Sequence, residues 1–429
     1  MPDDQSNPQA HWLERAERVL PAGGFGNFAS DIVISRGEGG RVWDENGRDY
    51  VDLLIGSGPM ILGHSHPEVM EAVQEQLPLG QTFFATNSRG VELAELIVET
   101  IECAEKVRFV SSGSEADMYA MRLARAHTGR EKILKFEGGY HGMSDFGLMS
   151  LAPNRLVNFP SAVPDSAGII RAVQDATVVA PFNDAEAVSR LLDEHEGEIA
   201  GIIVEPMQRL IPPAPGFLEH LREETKKRGI VLIFDEVVTG YRLAFGGAQE
   251  AYGVTPDLCT LGKIVGGGFA LAAIAGNSDI MSHFDKSIVG DDGFTLQIGT
   301  LSGNPIAAVA GMKTIEILRR PGTYEKLRAN GERIMKTAQA AFGKAGIPIQ
   351  TPGDLTLFDI VMTDGPVRNY REWFAGDRAA EARMDRHLRD RGVLKPTGKI
   401  YVHLGLSDED LDRIDSAIQE TAEAMAAEA

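Results

Sequence analysis

The sequence predicts an α/β fold, in which a large domain has a mostly parallel central sheet covered by helices and a smaller α+β domain follows. From about Leu93 to Asn277, helix-like and strand-like stretches alternate along the chain. Several apolar runs in this part, such as 199–204, are continuous rather than alternating, as expected for strands covered on both faces. After Asn304 the chain becomes helical, and short strands then mix with helices. This order is typical of an α/β layer joined to a second domain.

The individual elements follow from apolar periodicity and from the turn residues that bound them. A loose polar tail is expected over residues 1–10, before a first helix over residues 11–20. Further helices are predicted over residues 93–105, 115–127, 305–341, 379–391 and 408–429. Strands are predicted over residues 107–110, 132–136, 199–204, 230–234 and 271–275.

Three interleaved segments are predicted, because neither an internal repeat nor a low-complexity linker divides the chain. Residues 1–60 are expected to pack with the small domain, residues 61–310 to form the large domain, and residues 311–429 to form the small C-terminal domain. The length itself suggests about two or three domains with a sizeable core.

Composition excludes several classes of protein. Lys and Arg number 42 and Asp and Glu number 62, which gives a net charge of −20 and argues against nucleic-acid binding, since that needs clustered cations. Only Cys103 and Cys259 occur, without metal-site spacing, so neither a metal site nor a disulfide framework is expected and a reducing, cytoplasmic location is the default. No stretch resembles a signal peptide or a membrane span, so no membrane partner is predicted.

A candidate anion site lies where the strand ending at Val110 meets a helix, in the run 111–116. Gly113 permits close approach of a ligand to the backbone, and Ser114 can add a hydroxyl donor. The free N–H groups of a first helical turn, at the positive end of the helix dipole, favour a phosphate there. A capped helix start without a ligand is the alternative.

Three further side chains follow predicted strands, where ligands bind in sheets of this kind. Asp235 comes after the run 230–234, and its carboxylate can bind a metal, act as a base or hold a proton on a ring nitrogen; a surface turn is the alternative. Lys263 lies between apolar residues and glycines, where burial favours a nucleophilic amine able to form a Schiff base. Tyr140, between Gly139 and Gly142, has room to stack on a flat ligand. Taken singly, the lysine could also be an ordinary surface residue and the tyrosine part of a plain glycine loop.

The order and spacing of these groups predict one cofactor. Pyridoxal 5′-phosphate (PLP) needs a phosphate anchor at a helix start, a carboxylate that keeps its pyridine nitrogen protonated, and a lysine for its aldehyde. Ser114, Asp235 and Lys263 supply these groups in sequence. Only the protonated ring is a strong electron sink, which is why the carboxylate matters.

The motifs together resemble the class III aminotransferases of PLP fold type I, with the nearest likeness to glutamate-1-semialdehyde aminomutase and its aminotransferase relatives. The resemblance rests on Glu205-Pro206 and on the runs 235–242, 261–268 and 299–305, and it extends from about residue 37 to residue 311. It implies a Schiff-base lysine and proton shuttle at Lys263, a pyridine-nitrogen partner at Asp235, and Val237 on the ring face opposite Tyr140. It further implies that Gly113 and Ser114 hold the phosphate, and that Thr300 reaches the phosphate of the neighbouring subunit in a homodimer whose active site is shared across the interface.

The resemblance leaves the reaction to be chosen from substrate-side residues. The mutase branch usually carries an arginine after its N-terminal Pro-Gly-Gly and a Phe-Glu-Ala-Gly segment near the C-terminus, whereas this chain has no arginine in 21–30 and has Thr397-Gly398-Lys399 in a shortened stretch. These departures favour an aminotransferase that moves an amino group from an amino acid or amine to an oxo acceptor by a ping-pong mechanism. An aminomutase or related PLP isomerase is the alternative, and a PLP-binding protein without catalysis is the third.

Residues that could meet the substrate are suggested by charge and by aromatic character. Arg209, Lys399 and Arg242 are candidates to pair with a carboxylate, and arginine makes the stronger bidentate pair. The phenylalanines at 25, 28, 83 and 84 are candidates for an apolar pocket, with ordinary core packing as the alternative.

Overall fold

A computed structural model of the chain describes residues 7–27 and 31–428. The strands are β1 (Ile34–Glu38), β2 (Arg41–Asp44), β3 (Asp49–Asp52), β4 (Lys106–Val110), β5 (Lys132–Phe136), β6 (Thr177–Ala180), β7 (Ile199–Val204), β8 (Val231–Glu236), β9 (Leu258–Leu261), β10 (Ala272–Gly276), β11 (Gly353–Asp354), β12 (Leu357–Phe358), β13 (Val393–Leu394) and β14 (Ile400–Tyr401). The helices are α1 (Pro8–Val19), α2 (Pro67–Gln76), α3 (Ser88–Thr100), α4 (Gly113–Thr128), α5 (Arg171–Asp175), α6 (Ala185–Glu194), α7 (Phe217–Arg228), α8 (Gly247–Tyr252), α9 (Ser278–Met281), α10 (Lys286–Gly293), α11 (Pro305–Leu318), α12 (Thr323–Lys344), α13 (Tyr370–Phe374), α14 (Arg378–Asp390) and α15 (Asp408–Glu428).

The central sheet has seven strands in the order β4-β10-β9-β8-β7-β5-β6. β10 pairs antiparallel with both of its neighbours, and the remaining pairs are parallel. Every residue of β7 and β8 is buried, because helices cover both faces of the sheet. The predicted α/β class with a mostly parallel sheet is therefore confirmed.

Two smaller sheets join the ends of the chain. β1, β2 and β3 form an antiparallel meander whose last strand pairs parallel with β13. β12 lies between β11 and β14 in a three-stranded antiparallel sheet. The long helices α12 and α15 pack on each other beside these sheets. The N-terminal strands thus lie against the C-terminal part of the chain.

Several element boundaries differ from the predicted ones, most of them by one or two residues, and four differences are described here. α1 begins at Pro8, inside the predicted tail, because the Asn7 side chain accepts the N–H of Ala10 and caps the helix. The rest of that tail, residues 1–6, lies outside the described residues. α3 begins at Ser88 and ends at Thr100, so both of its ends lie five residues before the predicted ones. The helix predicted over 305–341 is two helices, separated by the turn that contains Pro321.

The fourth difference concerns the site. β8 continues through Glu236, so Asp235 is inside the strand rather than directly after it. It faces Thr260 of β9 in the parallel register. Among the described residues, the search for a helix long and apolar enough to cross a membrane finds none.

Candidate active site

One cavity of about 340 Å³ lies where the carboxyl ends of β7 and β8 meet the start of α4. Six of the predicted site residues line it, namely Gly113, Ser114, Tyr140, Asp235, Val237 and Lys263. This volume is in the range of small-molecule sites. The parallel topology explains the convergence, because the ends of parallel strands and the helix starts that follow them share one edge of the sheet.

The start of α4 lines the part of the cavity where an anion could bind. Ser112 caps the helix, since its hydroxyl accepts the N–H of Glu115 while the Glu115 carboxylate accepts the N–H groups of Ser111 and Ser112. The amides of Gly113 and Ser114 are the first two of the helix and precede its intrahelical bonds. The helix start is therefore both capped and still able to donate two N–H groups to an anion.

The loop that follows β5 is held against this helix start. Gly142 has a positive φ of 76°, and a Cβ there would lie 2.4 Å from Ser114 Cα. The Ser114 hydroxyl accepts the N–H of Met143 at 3.1 Å. The glycine is thus required by the close approach of the loop, which brings Tyr140 over the cavity.

The Asp235 carboxylate also lines the cavity and is buried. Its Oδ2 atom is 2.8 Å from His141 Nδ1, and its Oδ1 atom accepts the N–H of Val237 at 3.1 Å. Because a carboxylate accepts, His141 carries its proton on Nδ1 when neutral. The carboxylate is therefore fixed in orientation by one side chain and one backbone group.

Lys263 is separated from the end of β9 by Gly262 and lies at the start of a 3₁₀ turn. Its backbone has a positive φ of 48°, which is uncommon for a residue with a side chain and is a form of strain often found at functional sites. Burial lowers the pKa of its ammonium group, and the charge of Lys399 lowers it further. The amine is thereby made easier to deprotonate, as a nucleophile or proton carrier requires.

Tyr140 forms a side wall of the cavity. Its N–H donates to Glu205 Oε2 at 2.9 Å, and its ring lies 5.5 Å from the guanidinium carbon of Arg209. Burial raises the pKa of its phenol, so the ring presents a neutral face. The Arg209 side chain itself donates to the carbonyl oxygens of Gly138 and Leu151.

A second cavity of about 120 Å³ lies beside this wall, lined by Arg209, Lys399 and the aromatic residues Tyr370 and Trp373, among others. The Lys399 ammonium is 5.8 Å from the centre of the Tyr401 ring, and it has no carboxylate partner in the described part of the chain. Burial raises the pKa of Tyr401, but the charges of Lys399 and Lys263 outweigh that effect and bring the pKa to about 8. The charge of Lys399 thus lowers the pKa values of both Tyr401 and Lys263.

The other substrate candidates lie elsewhere. Arg242 is fully buried and donates to the carbonyl oxygens of Gly58 and Val402, so it holds loops together. Phe25 and Phe84 are 84% and 70% exposed, and neither lines the 340 Å³ cavity. Phe28 lies outside the described residues.

Thr300 does not line the cavity of its own chain. It is exposed, and its carbonyl oxygen accepts the hydroxyl proton of Thr82 at 3.2 Å. Of the predicted site residues, it is therefore the one that the fold keeps apart from the others.

Three residues beside Asp235 escaped the sequence analysis as functional groups: Asp117, His141 and Thr260. The Thr260 hydroxyl donates to Asp117 at 2.6 Å, and one ligand atom each from Asp117, His141 and Asp235 lie within 4.8 Å of one another. The available signals were a polar residue in an apolar strand and a carboxylate on the alanine-rich face of α4. Neither signal shows that Thr260 and Asp117 contact each other beside Asp235.

Most of the chain, residues 25–421, matches the family model described as aminotransferase class III. An omega-transaminase from Sphaerobacter thermophilus is 34% identical with a TM-score of 0.92, and the match covers 98% of each chain. A transaminase with PLP bound is 29% identical with a TM-score of 0.89, again over 98% of each chain. A β-phenylalanine aminotransferase from Variovorax paradoxus is 31% identical with a TM-score of 0.85, over 98% of this chain and 94% of that chain.

Proposed function

The chain belongs to the class III aminotransferases, and on this premise we propose that Lys263 carries the transfer of an amino group from an amino acid or amine to an oxo acceptor. Its cofactor is PLP, as in the family and in the PLP-bound transaminase. The observation that carries the proposal is the convergence of Lys263 and Asp235 on the cavity that begins at the first amides of α4.

The residues present fit this cofactor. The two free N–H groups of Gly113 and Ser114 suit a phosphate, and the buried carboxylate of Asp235 suits a protonated ring nitrogen. Tyr140 and Val237 offer the flat and apolar walls that an aromatic ring needs. When bound, PLP supplies an electron sink for the carbanion at the carbon that bears the amino group.

The chain's own contribution is proton movement and orientation. The Lys263 amine, whose pKa is lowered by burial, can take a proton from the substrate carbon as a free base and later return it. His141 and the Val237 amide fix the two oxygens of Asp235, and the carboxylate so held would keep a proton on the ring nitrogen of the cofactor. These roles of individual residues remain proposals.

The donor or the acceptor is proposed to carry a carboxylate that meets Lys399. The unpaired ammonium, its electrostatic effect on Lys263 and the small cavity beside it support this assignment. A β-phenylalanine aminotransferase is among the similar structures, so β-amino acids belong in the set of donors to be tried.

A homodimer completes the proposed site through Thr300. Exposed apolar side chains surround this residue in the isolated chain: Phe83, Phe84, Leu296, Ile298 and Leu301. Apolar patches of this kind mark interaction surfaces. Phe84→Asp is expected to give a monomer with weakened cofactor binding, whereas Phe25→Asp, an exposed phenylalanine outside the patch, is expected to leave the dimer intact.

The reaction is tested by separating its two halves. Purified enzyme is given one amino donor, and the absorbance of its bound cofactor is followed before and after addition of a 2-oxo acid. A transaminase loses its initial absorbance with the donor and regains it with the acceptor. Failure to respond to a broad panel of amines would overturn the proposal.

An aminomutase reaction, like that of glutamate-1-semialdehyde aminomutase, is the second candidate function. It has less support, because this sequence lacks the arginine that follows the N-terminal Pro-Gly-Gly of that branch and the glutamate of its Phe-Glu-Ala-Gly segment. Turnover of a single amino substrate without any oxo acceptor would favour it. A cytoplasmic location likewise stays a prediction from the sequence.

A further inference from the structure

A second buried acid lies behind the proposed pyridine-nitrogen partner. Asp117, on the inner face of α4, is 2% exposed and also lines the 340 Å³ cavity. Asp235 is 4% exposed, and Thr260 between them is fully buried. Family membership assigns no role to this second carboxyl group, and the proton shuttle at Lys263 does not use it.

The hydroxyl of Thr260 distinguishes the two acids. Its Oγ1 atom is 2.6 Å from Asp117 Oδ1 and 3.5 Å from Asp235 Oδ1. Since a hydroxyl has one proton, Thr260 donates to Asp117 and leaves Asp235 with a contact at the limit of hydrogen bonding. Asp235 is satisfied instead by His141 and by the Val237 amide.

Two carboxylates this close in a buried site repel each other strongly, and such pairs commonly hold one proton between them. Asp235 has two donors besides Thr260 and is the better-solvated anion. Burial, the charge of Asp235 and a hydrogen bond between the two carboxyl groups raise the pKa of Asp117 well above its usual range. The other ionisable groups around the pair are Tyr140, His141, Glu205, Lys135 and Lys263.

We propose that Asp117 and Asp235 form a proton-sharing dyad, in which a neutral Asp117 donates its hydrogen bond to Asp235 and leaves one negative charge facing the cavity. Asp117 is then a positioning residue that acts through Asp235. An acid that donates to Asp235 lowers the basicity of that carboxylate, and a less basic partner leaves the proton on the ring nitrogen. This last consequence rests on the proposed function, whereas the dyad itself does not.

The dyad is tested in the apoprotein, without activity as the readout. With aspartate labelled by ¹³C at its side-chain carboxyl carbon, a protonated aspartic acid gives an isotope-shifted C=O band in the infrared spectrum. We expect this band at neutral pH in the wild type and a weaker band in Asp117→Asn, where other buried aspartates such as Asp359, whose pKa burial raises, can still contribute. Asp279→Asn, a control at an exposed aspartate on α9, is expected to keep the wild-type band.

A second variant keeps the test decisive if Asp117→Asn does not fold. Thr260→Val removes the donor that stabilises the charged form of Asp117, so the pH at which the band disappears should move upward. Absence of the band in the wild type, an undiminished band in Asp117→Asn, or an unmoved pH in Thr260→Val would each overturn the dyad. A protein that shows the band and yet binds no PLP would leave the dyad standing and reject the proposed function.

Discussion

Gly113 and Val237 face each other so closely that a Cβ on the glycine would lie 2.9 Å from Val237 Cγ1. The φ angle of Gly113 does not demand glycine, so the close approach alone accounts for it. The start of α4 and the side chain of Val237, two residues after Asp235, are thereby fixed relative to each other in the wall of the cavity.

Gly113→Ala is therefore expected to weaken PLP binding and to lower the free energy of unfolding by about 1–3 kcal/mol, the usual cost of overpacking. Titration of the apoprotein with PLP and unfolding in urea measure the two effects. Val237→Ala in the same chain should restore part of both. Gly343→Ala on α12, where nothing lies within 4 Å of the added carbon, is the control and should be neutral or stabilising.

Lys263→Ala is expected to abolish the covalent link to the cofactor and nearly all turnover, while the phosphate end still binds. The reason is that the substitution removes the amine, whereas the amides at the start of α4 are untouched. Borohydride reduction followed by intact-mass measurement reports the link directly. Lys286→Ala, at an exposed lysine of α10, should retain the added mass; a mass increase that survives in Lys263→Ala would assign the link to another residue.

The central strands were predictable because their apolar residues match their buried position between the helices that cover the sheet. β5 and β7 have the predicted bounds, since each is a short run in which apolar residues predominate and nearly every residue is buried. The start of α1 was missed although Asn7-Pro8 is a readable cap, because the polar composition of the segment outweighed it. Asp235 extends β8 because it pairs with Thr260 of β9, and this register cannot be read from one strand alone.

The sequence predicted only those site residues that lie near the end of a strand or at the start of a helix. Gly113, Asp235 and Lys263 follow such signals and line the same cavity. Asp117 and Thr260 lie in the interiors of elements, and their meeting depends on how α4 packs across β8 and β9. The contribution of Thr300 depends on a second chain and therefore stays a prediction.

Lys399→Met is expected to raise KM for a 2-oxo acid by about 10-fold or more, since a charge-assisted hydrogen bond is worth about 1.5–3 kcal/mol. KM for an uncharged aldehyde of the same length should change little, because that acceptor has no carboxylate to lose. Steady-state assays with pyruvate and propanal make the comparison, and Lys336→Met on α12 is the control. An equal rise for both acceptors would show that Lys399 shapes the site without recognising the charge.

Lys135 provides a pH-dependent test of the interior. It lies on β5, is 1% exposed and donates to the carbonyl oxygen of Gly147 at 2.8 Å. Burial lowers the pKa of its ammonium group from 10.5 to about 7. Between these two values the unfolded chain binds more protons than the folded chain, so the contribution of Lys135 to stability becomes more favourable as pH rises, by up to about 1.4 kcal/mol per pH unit.

Lys135→Met keeps the length of the side chain and removes this titration. Below the folded pKa of Lys135 both states hold the proton, so the difference in stability between the wild type and the variant should be constant there and least favourable to the wild type. By pH 9 the wild type should have gained about 2 kcal/mol relative to the variant. Urea unfolding of both apoproteins at a series of pH values measures the difference, with the exposed Lys227→Met as the control. Parallel stability curves for wild type and Lys135→Met would mean that the buried amine keeps its ordinary pKa, and that nearby carboxylates such as Glu205 offset the cost of burying its charge.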